Sequence, residues 1–123
     1  MLKKDLIRKK ILKIRRKKYF QVNSNFFNPL NSYLKKKYKS KSLFLSLYYP
    51  SNYEVDVLRL LEIVNNKKIK TLLPVVKPKE KMNFIEWKLL DPLRVNNFGM
   101  LEPNLNGRFL IPDIMLVPLI AFD

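Results

Sequence analysis

Residues 42–76 read SLFLSLYYPSNYEVDVLRLLEIVNNKKIKTLLPVV, and this stretch decides the fold. It begins with a short apolar run at 42–48 and ends with another at 70–76, and such runs are typical of buried strands. Between them, Ser51 and Glu54 have the spacing of a helix-capping box, and apolar residues then recur at helical spacing. A strand, a helix and a strand in this order predict a crossover that joins two parallel strands.

A basic amphipathic helix is predicted upstream, over residues 3–18. Its apolar residues recur every three or four positions and are expected to face the core. They are Leu6, Ile7, Ile11 and Ile14. Lys4, Arg8 and Arg15 fall on another face of the same helix.

The remaining sequence predicts one more helix and two more strands. The helix covers about 26–37, and the strands cover 83–89 and 113–119. Residues 91–111 are mostly loop, with turn signals at Asn96-Asn97, Gly99 and Asn106-Gly107. We therefore predict one domain over residues 1–123, an α/β fold built as a three-layer α/β/α sandwich with a mostly parallel sheet.

The composition excludes several kinds of chemistry. The chain has 123 residues, no Cys and no His. A Cys or His nucleophile, a Cys/His zinc site, a disulfide framework and a Ser-His-Asp triad are therefore impossible. The absence of Cys fits a reducing compartment.

The charge of the chain is concentrated at one end. The formal net charge is +15, and residues 1–41 hold 15 Lys/Arg against a single acid, Asp5. A basic segment on a near-neutral body predicts an anionic partner such as nucleic acid, nucleotide phosphates or a membrane surface. The alternative is a compositional surplus of Lys on a solvated face.

No stretch of the sequence has the length and character of a membrane span. The most apolar run, FLIPDIMLVPLIAF at 109–122, is too short and is interrupted by two prolines and an aspartate. The N-terminus has no apolar secretory signal. We expect a cytoplasmic protein, monomeric and without a membrane partner.

Five motifs in a fixed order link the sequence to a known family. They are Lys4-x-x-x-Arg8; Leu45-Ser46-Leu47-Tyr48 followed by Glu54-Val55-Asp56; Leu73-Pro74-Val75-Val76; Met82-Asn83-Phe84 followed by Phe98-Gly99-x-x-Glu102-Pro103; and Asp113-x-x-x-Val117-Pro118-x-x-Ala121-Phe122-Asp123. In this order they resemble the 5-formyltetrahydrofolate cyclo-ligase family, also called methenyltetrahydrofolate synthetase. The resemblance covers nearly the whole chain.

The resemblance also implies that the fold is incomplete at its C-terminus. The family continues beyond the Ala-Phe-Asp motif into a glycine-rich segment that cradles the phosphates of ATP and helps to bind metal. The sequence ends at Asp123, so the resemblance places no metal ligand within this chain. We expect little turnover from these residues alone, and a degraded gene product without activity is a further interpretation.

The activity that the resemblance implies is the closure of 5-formyltetrahydrofolate to 5,10-methenyltetrahydrofolate with ATP and Mg²⁺. In the implied route the formyl oxygen is phosphorylated, and N10 then attacks the activated carbon. Such a reaction needs positioning and cations around migrating negative charge more than a protein nucleophile. A chain without Cys and His can meet that need, and the resemblance names no catalytic residue.

The same resemblance assigns roles to five residues. Lys4 and Arg8 would bind ATP, and helical spacing lets both reach one phosphate group; the alternative is a solvated helix face. Glu54 would accept hydrogen bonds from the pterin ring, with the helix cap as the alternative or additional role. Tyr49 would line the same pocket. Phe84 would form an apolar wall for the folate ring or belong to the core.

Two other interpretations concern the aromatic residues. Trp87 is predicted to be a core residue. Aromatic residues among the N-terminal lysines also suit a small nucleic-acid-binding protein of ribosomal type. That alternative explains the charge and leaves the motif order unexplained, so we expect no nucleic-acid partner.

Overall fold

The computed structural model describes residues 2–38, 42–64, 68–76, 82–104 and 108–119. Within these ranges the α-helices are α1 (Leu2–Lys18) and α2 (Asn28–Lys37). Short 3₁₀ helices cover Ser24–Phe27 and Val57–Glu62. The strands are β1 (Leu43–Ser46), β2 (Ile69–Val75), β3 (Asn83–Glu86), β4 (Leu93–Val95), β5 (Leu101–Pro103) and β6 (Ile114–Met115).

Four of these strands form one sheet in the order β3-β2-β1-β6. β1 pairs in parallel with β2 and with β6, whereas β2 and β3 are antiparallel. In this register Leu45 lies between Thr71 and Ile114. The parallel pair predicted from residues 42–76 is confirmed, as is the α/β class with a mostly parallel sheet.

The core lies on the face of the sheet to which alternate residues of β1 and its extension point. Leu43, Leu45 and Leu47 are each at most 1% exposed. They belong to one apolar cluster with residues of the α2 region, of the 3₁₀ helix Val57–Glu62, of β2 and of the residue after β3, namely Val22, Phe27, Leu34, Val57, Leu60, Leu73 and Trp87. The core role predicted for Trp87 is therefore confirmed.

The helix predicted inside the crossover is wrong in type and length. In the described part of the crossover, residues 47–64, the structure has a 3₁₀ helix, Val57–Glu62, that buries Val57 and Leu60. Its N-cap is Asp56, whose carboxylate accepts a hydrogen bond from the Leu58 N–H at 3.1 Å. A buried pair at i and i+3 satisfies a 3₁₀ helix as well as an α-helix, so the apolar spacing did not separate the two.

The loop predicted over residues 91–111 contains a hairpin. β4 and β5 pair antiparallel around the turn signalled by Asn96-Asn97 and Gly99. Strands of three residues are too short to show an alternating pattern, which is why the sequence did not indicate them. The other turn signal, at 106–107, lies outside the described residues.

The apolar residues of α1 that were predicted to face the core are largely exposed to solvent. Leu6 is 66%, Ile7 48% and Ile14 45% exposed. None of the described side chains of α1 is fully buried, and those of Ile11 and Leu12 are half-buried. Periodicity identified the helix and its apolar side correctly, but not the neighbour on that side. No helix in the described ranges is long and apolar enough to cross a membrane.

Replacing Leu60 by Ala should lower the free energy of unfolding by about 2–5 kcal/mol, because the side chain is fully buried and leaves a cavity. Urea unfolding, followed by the fluorescence of Trp87, measures the change. Leu89→Ala is the matched control, since Leu89 is 51% exposed and should change the stability by about 0.5 kcal/mol or less. Equal losses in the two variants would contradict the assigned core.

Candidate active site

The parallel sheet brings the C-terminal ends of three strands to one edge. Because β1 runs parallel to both β2 and β6, the segments that follow all three strands leave the sheet on the same side. Residues 47–56 follow β1, and residues 116–119 follow β6. In parallel α/β sheets this carboxyl edge is where ligands bind, so it is the candidate active site.

A tight turn at Ser51–Glu54 follows β1. The Glu54 N–H donates to the Ser51 carbonyl at 3.0 Å. Asn52 and Tyr53 have φ values of 49° and 61°, in the left-handed region that a bulky residue such as Tyr rarely adopts. Backbone strain of this kind persists only where surrounding contacts hold it, and it concentrates at functional sites.

The carboxylate of Glu54 closes this turn on itself. Its Oε1 accepts from the Ser51 N–H at 2.8 Å and from the Ser51 hydroxyl at 3.3 Å. The predicted Ser51–Glu54 pair is therefore real, but it closes a turn rather than capping a helix. From the residues that the structure describes, Oε2 accepts no hydrogen bond, so one oxygen of a fixed carboxylate remains for a ligand.

Arg15 ties α1 across the carboxyl edge of the sheet. Its guanidinium donates to the Asn52 carbonyl at 3.5 Å and to the Leu119 carbonyl. Just beyond α1, the ring of Tyr19 meets the ring of Tyr53 edge to face, with centroids 5.7 Å apart. These contacts join the helix to the turn after β1 and to the segment after β6.

The helix thereby brings two predicted phosphate ligands beside Glu54. Lys4, Arg8, Glu54, Pro118 and Leu119 all line one cavity of about 520 Å³. The two cations are one helical turn apart, and both are exposed. The structure therefore brings Lys4, Arg8 and Glu54 to the wall of one cavity.

A second cavity, of about 440 Å³, opens on the other side of Glu54. It lies between the Ser51–Glu54 turn, the end of β2 and the β4–β5 hairpin. Tyr49 and Glu54 line it from one side, and Phe98 and Met100 line it from the hairpin. Two of the three predicted substrate residues therefore meet here, against an apolar wall.

Glu54 and Pro118 stand at the junction of these spaces. Both border the two cavities described above and a third one, of about 340 Å³, which Arg15 and Tyr53 also line. A group bound at Glu54 would therefore border both the cavity lined by the cations of α1 and the cavity lined by the hairpin.

The structure does not bring Phe84 into this arrangement. Phe84 lines a separate cavity of about 510 Å³ with Phe109, Leu110 and Ile111. The Leu110 N–H donates to the Phe84 carbonyl at 3.0 Å, so this strand of the sheet is covered by the segment around Leu110. Met82 lines both this cavity and the one beside Glu54.

The sequence missed several residues that shape the site. The sequence places Arg15 on the same face of α1 as Lys4 and Arg8 but gives it no role, and it does not assign Phe98 and Met100 to the pocket. The motifs Phe98-Gly99 and Glu102-Pro103 were visible, but their place depends on a hairpin that the sequence did not indicate. Nothing in the local pattern predicts the contacts of Arg15 with the Asn52 and Leu119 carbonyls.

The site offers no set of metal ligands within the described ranges. No group of three or more His, Cys, Asp or Glu side chains comes together there. Among the described residues, the charged groups that line these cavities are Lys4, Arg8, Arg15 and Lys18, together with Glu54 and the buried Glu102. They suit a polyphosphate and a ligand with N–H groups.

Tyr48 is a hydroxyl donor at the base of the site. Burial, assisted by the charge of Glu54 and opposed by that of Arg15, raises the pKa of Tyr48 to about 12. The hydroxyl donates to the Val55 carbonyl at 2.8 Å, which links the end of β1 to the residue after Glu54.

The chain is similar to known proteins in sequence and in structure. No family model matches the chain. The curated 5-formyltetrahydrofolate cyclo-ligase of Haemophilus influenzae is 31% identical over 85 residues, which are 64% of this chain and 46% of that protein. The chain thus spans about half the length of this curated relative.

A solved structure gives the same indication. The NMR structure of the 5,10-methenyltetrahydrofolate synthetase of Aquifex aeolicus aligns with a TM-score of 0.63 and 31% identity. The alignment covers 100% of this chain and 63% of that one. Both comparisons support the family that the five motifs indicate.

Replacing Tyr48 by Phe should change how stability depends on pH. A raised pKa favours the neutral phenol in the folded state, so the contribution of Tyr48 is complete below about pH 10 and is lost as the pH rises towards 12. Urea unfolding at pH 8, 10 and 11.5 should therefore show wild type more stable than Tyr48→Phe by about 1 kcal/mol at pH 8, with the difference shrinking above pH 10. A difference that stays constant over this range would contradict the assignment.

Proposed function

We propose that this chain, a relative of the 5-formyltetrahydrofolate cyclo-ligases by sequence and by fold, forms the substrate-binding edge of such an enzyme. The reaction is the ATP-dependent cyclisation of 5-formyltetrahydrofolate to 5,10-methenyltetrahydrofolate, with ADP and phosphate released. The chain contributes the groups that hold the folate ring and the phosphates of the nucleotide.

The observation that carries this proposal is the cavity shared by Lys4, Arg8 and Glu54. Phosphoryl transfer to a formyl group requires the phosphate donor and the folate to lie side by side. Cations on one wall and a carboxylate acceptor on another are the complementary groups for these two ligands.

Lys4 and Arg8 fit the phosphates of ATP. Arg can bind a phosphate through two parallel hydrogen bonds, and Lys acts as a mobile point charge. ATP, when bound, supplies the phosphoryl group that activates the formyl oxygen. Lys4 and Arg8 would orient the phosphates of ATP and offset the negative charge that develops during phosphoryl transfer. This task requires no nucleophile from the protein. Mg²⁺ would reach this site with the phosphates, since the described residues offer it no carboxylate cluster.

Glu54 fits the pterin ring of the folate. Its Oε1 is engaged by Ser51, so the carboxylate is held in place before a ligand arrives. The other oxygen accepts no hydrogen bond from the described residues, and it would accept N–H groups of the ring. Such preorganisation lowers the entropy lost on binding. Tyr49 and the apolar residues Phe98 and Met100 would cover the ring.

The nucleic-acid alternative is the weaker explanation. It accounts for the basic segment, most of whose cations lie on the exposed surface of α1. It does not account for the agreement of the sequence and structure comparisons on an enzyme family.

The substitutions Lys4→Ala and Arg8→Ala should each weaken the binding of Mg-ATP by about tenfold or more, because each removes one charge-assisted contact. Isothermal titration of the purified chain measures this affinity. Lys3→Ala and Lys10→Ala are matched controls, since they remove the same charge from the same helix without touching the cavity. If the controls weaken ATP binding as much as Lys4→Ala and Arg8→Ala do, the phosphate role is contradicted and only the general charge of the helix matters.

Gln at Glu54 should weaken the binding of 5-formyltetrahydrofolate by about 10- to 100-fold while leaving the affinity for ATP unchanged. The amide keeps the shape and can still accept from Ser51, but it presents N–H donors to N–H donors of the pterin. Titration with each ligand separately tests this, with Glu62→Gln as the control acid outside the site. An unchanged folate affinity in Glu54→Gln would remove the carboxylate from the proposed contact.

A further inference from the structure

Glu102 is a buried carboxylate at the base of the β4–β5 hairpin. Its side chain is 2% exposed. Oε1 accepts from the Arg94 guanidinium at 2.7 Å, and Oε2 accepts from the Val76 N–H at 3.2 Å and from the Asn96 amide at 3.0 Å. A buried carboxylate with several donors is costly to disturb, so Glu102 fixes the hairpin against the end of β2.

Asn96 connects this carboxylate to the hairpin tip, residues 96–100. While its amide nitrogen donates to Glu102, its Oδ1 accepts from the Phe98 N–H at 2.8 Å and from the Met100 N–H at 3.0 Å. The tip also contains Gly99, with φ of 75° and an N–H that donates to the Asn96 carbonyl. One side chain thus joins the buried anion to the backbone of the whole tip.

The tip presents apolar side chains to the cavity beside Glu54. Phe98 is 62% and Met100 54% exposed, although both line that cavity. Apolar side chains held in place but open to solvent gain stability when a flat apolar ligand covers them. A tip that moved freely would have to be ordered on binding, and the affinity would fall by that cost.

We propose that Asn96, anchored by Glu102, is a positioning residue that holds Phe98 and Met100 as the wall against which the substrate ring binds. This inference rests on the proposed function, because it assigns the cavity to the folate ring. Asn96 also borders this cavity, and the part proposed for it is to hold the two apolar residues through the hydrogen bonds that its Oδ1 accepts from their N–H groups.

The experiment uses Asn96→Ala and Asn96→Asp, with Asn97→Ala as the matched control. Asn97 is the exposed neighbour and makes none of the hydrogen bonds described above. Asn96→Ala removes the hydrogen bond of the side chain to Glu102 and those from the Phe98 and Met100 N–H groups. Asp keeps the acceptor for Phe98 and Met100, but it places a second carboxylate beside Glu102 and so breaks only the anchor.

Amide hydrogen exchange, measured by NMR on the unliganded chain, tests the positioning. The N–H groups of Phe98 and Met100 should exchange about tenfold faster in Asn96→Ala, the scale of a lost hydrogen bond. They should exchange at the wild-type rate in Asn97→Ala. The N–H groups of Leu47 and Trp87, which bond within the sheet, should stay protected in every variant and report that the fold is intact.

Titrations with 5-formyltetrahydrofolate and with Mg-ATP test the consequence for the ligand. Both Asn96 variants should bind the folate about tenfold more weakly and bind ATP as wild type does. Loss of folate affinity in Asn96→Asp, where the tip keeps its internal bonds, would separate positioning from simple unfolding of the turn. A general destabilisation of the fold would instead weaken the binding of both ligands.

Two results would overturn the inference. Unchanged exchange at Phe98 and Met100 in Asn96→Ala would show that the side chain does not hold the tip. Faster exchange with unchanged folate affinity would show that the tip is not the wall. If wild type binds no folate, the proposed function fails, and the statement that Asn96 holds the tip is then decided by the exchange rates alone.

Discussion

The position of β1 between two parallel neighbours is the constraint on which the site depends. The Leu47 N–H donates to Leu72 at 2.9 Å and the Leu116 N–H donates to Ser46 at 2.9 Å, so the parallel pairing continues to the ends of the strands. The turn that contains Glu54 and residues 116–119 therefore emerge side by side. Arg15 can contact both only because of this arrangement, and the placement of α1 follows from it.

Each wall of the site is held by a different local device. The cations of α1 depend on the contacts of Arg15 with two backbone carbonyls. The carboxylate of Glu54 depends on its own turn, and the apolar wall depends on the hairpin. Because the three devices share few atoms, nucleotide binding and folate binding are expected to respond independently to substitution.

The sequence predicted those parts of the molecule that follow from apolar patterning or from the family resemblance. The parallel unit was visible because two buried strands read as apolar runs, and Lys4, Arg8 and Glu54 came from the motifs. The surroundings of Phe84 were not visible, because they depend on how the distant residue Leu110 pairs with β3. The hairpin, and with it the role of Asn96 and Glu102, depends on strands too short to leave a pattern.

The exposed apolar side of α1 has a consequence for how the protein behaves in solution. Leu6, Ile7 and Ile14 lie exposed on a helix that also carries ten of the 25 Lys and Arg residues. At low ionic strength, mutual repulsion between chains of net charge +15 keeps these apolar patches apart. At about 0.1 M salt the repulsion reaches only about 10 Å. Colloidal solubility is therefore expected to fall as salt is added, the reverse of the salting-in seen for proteins near their isoelectric point.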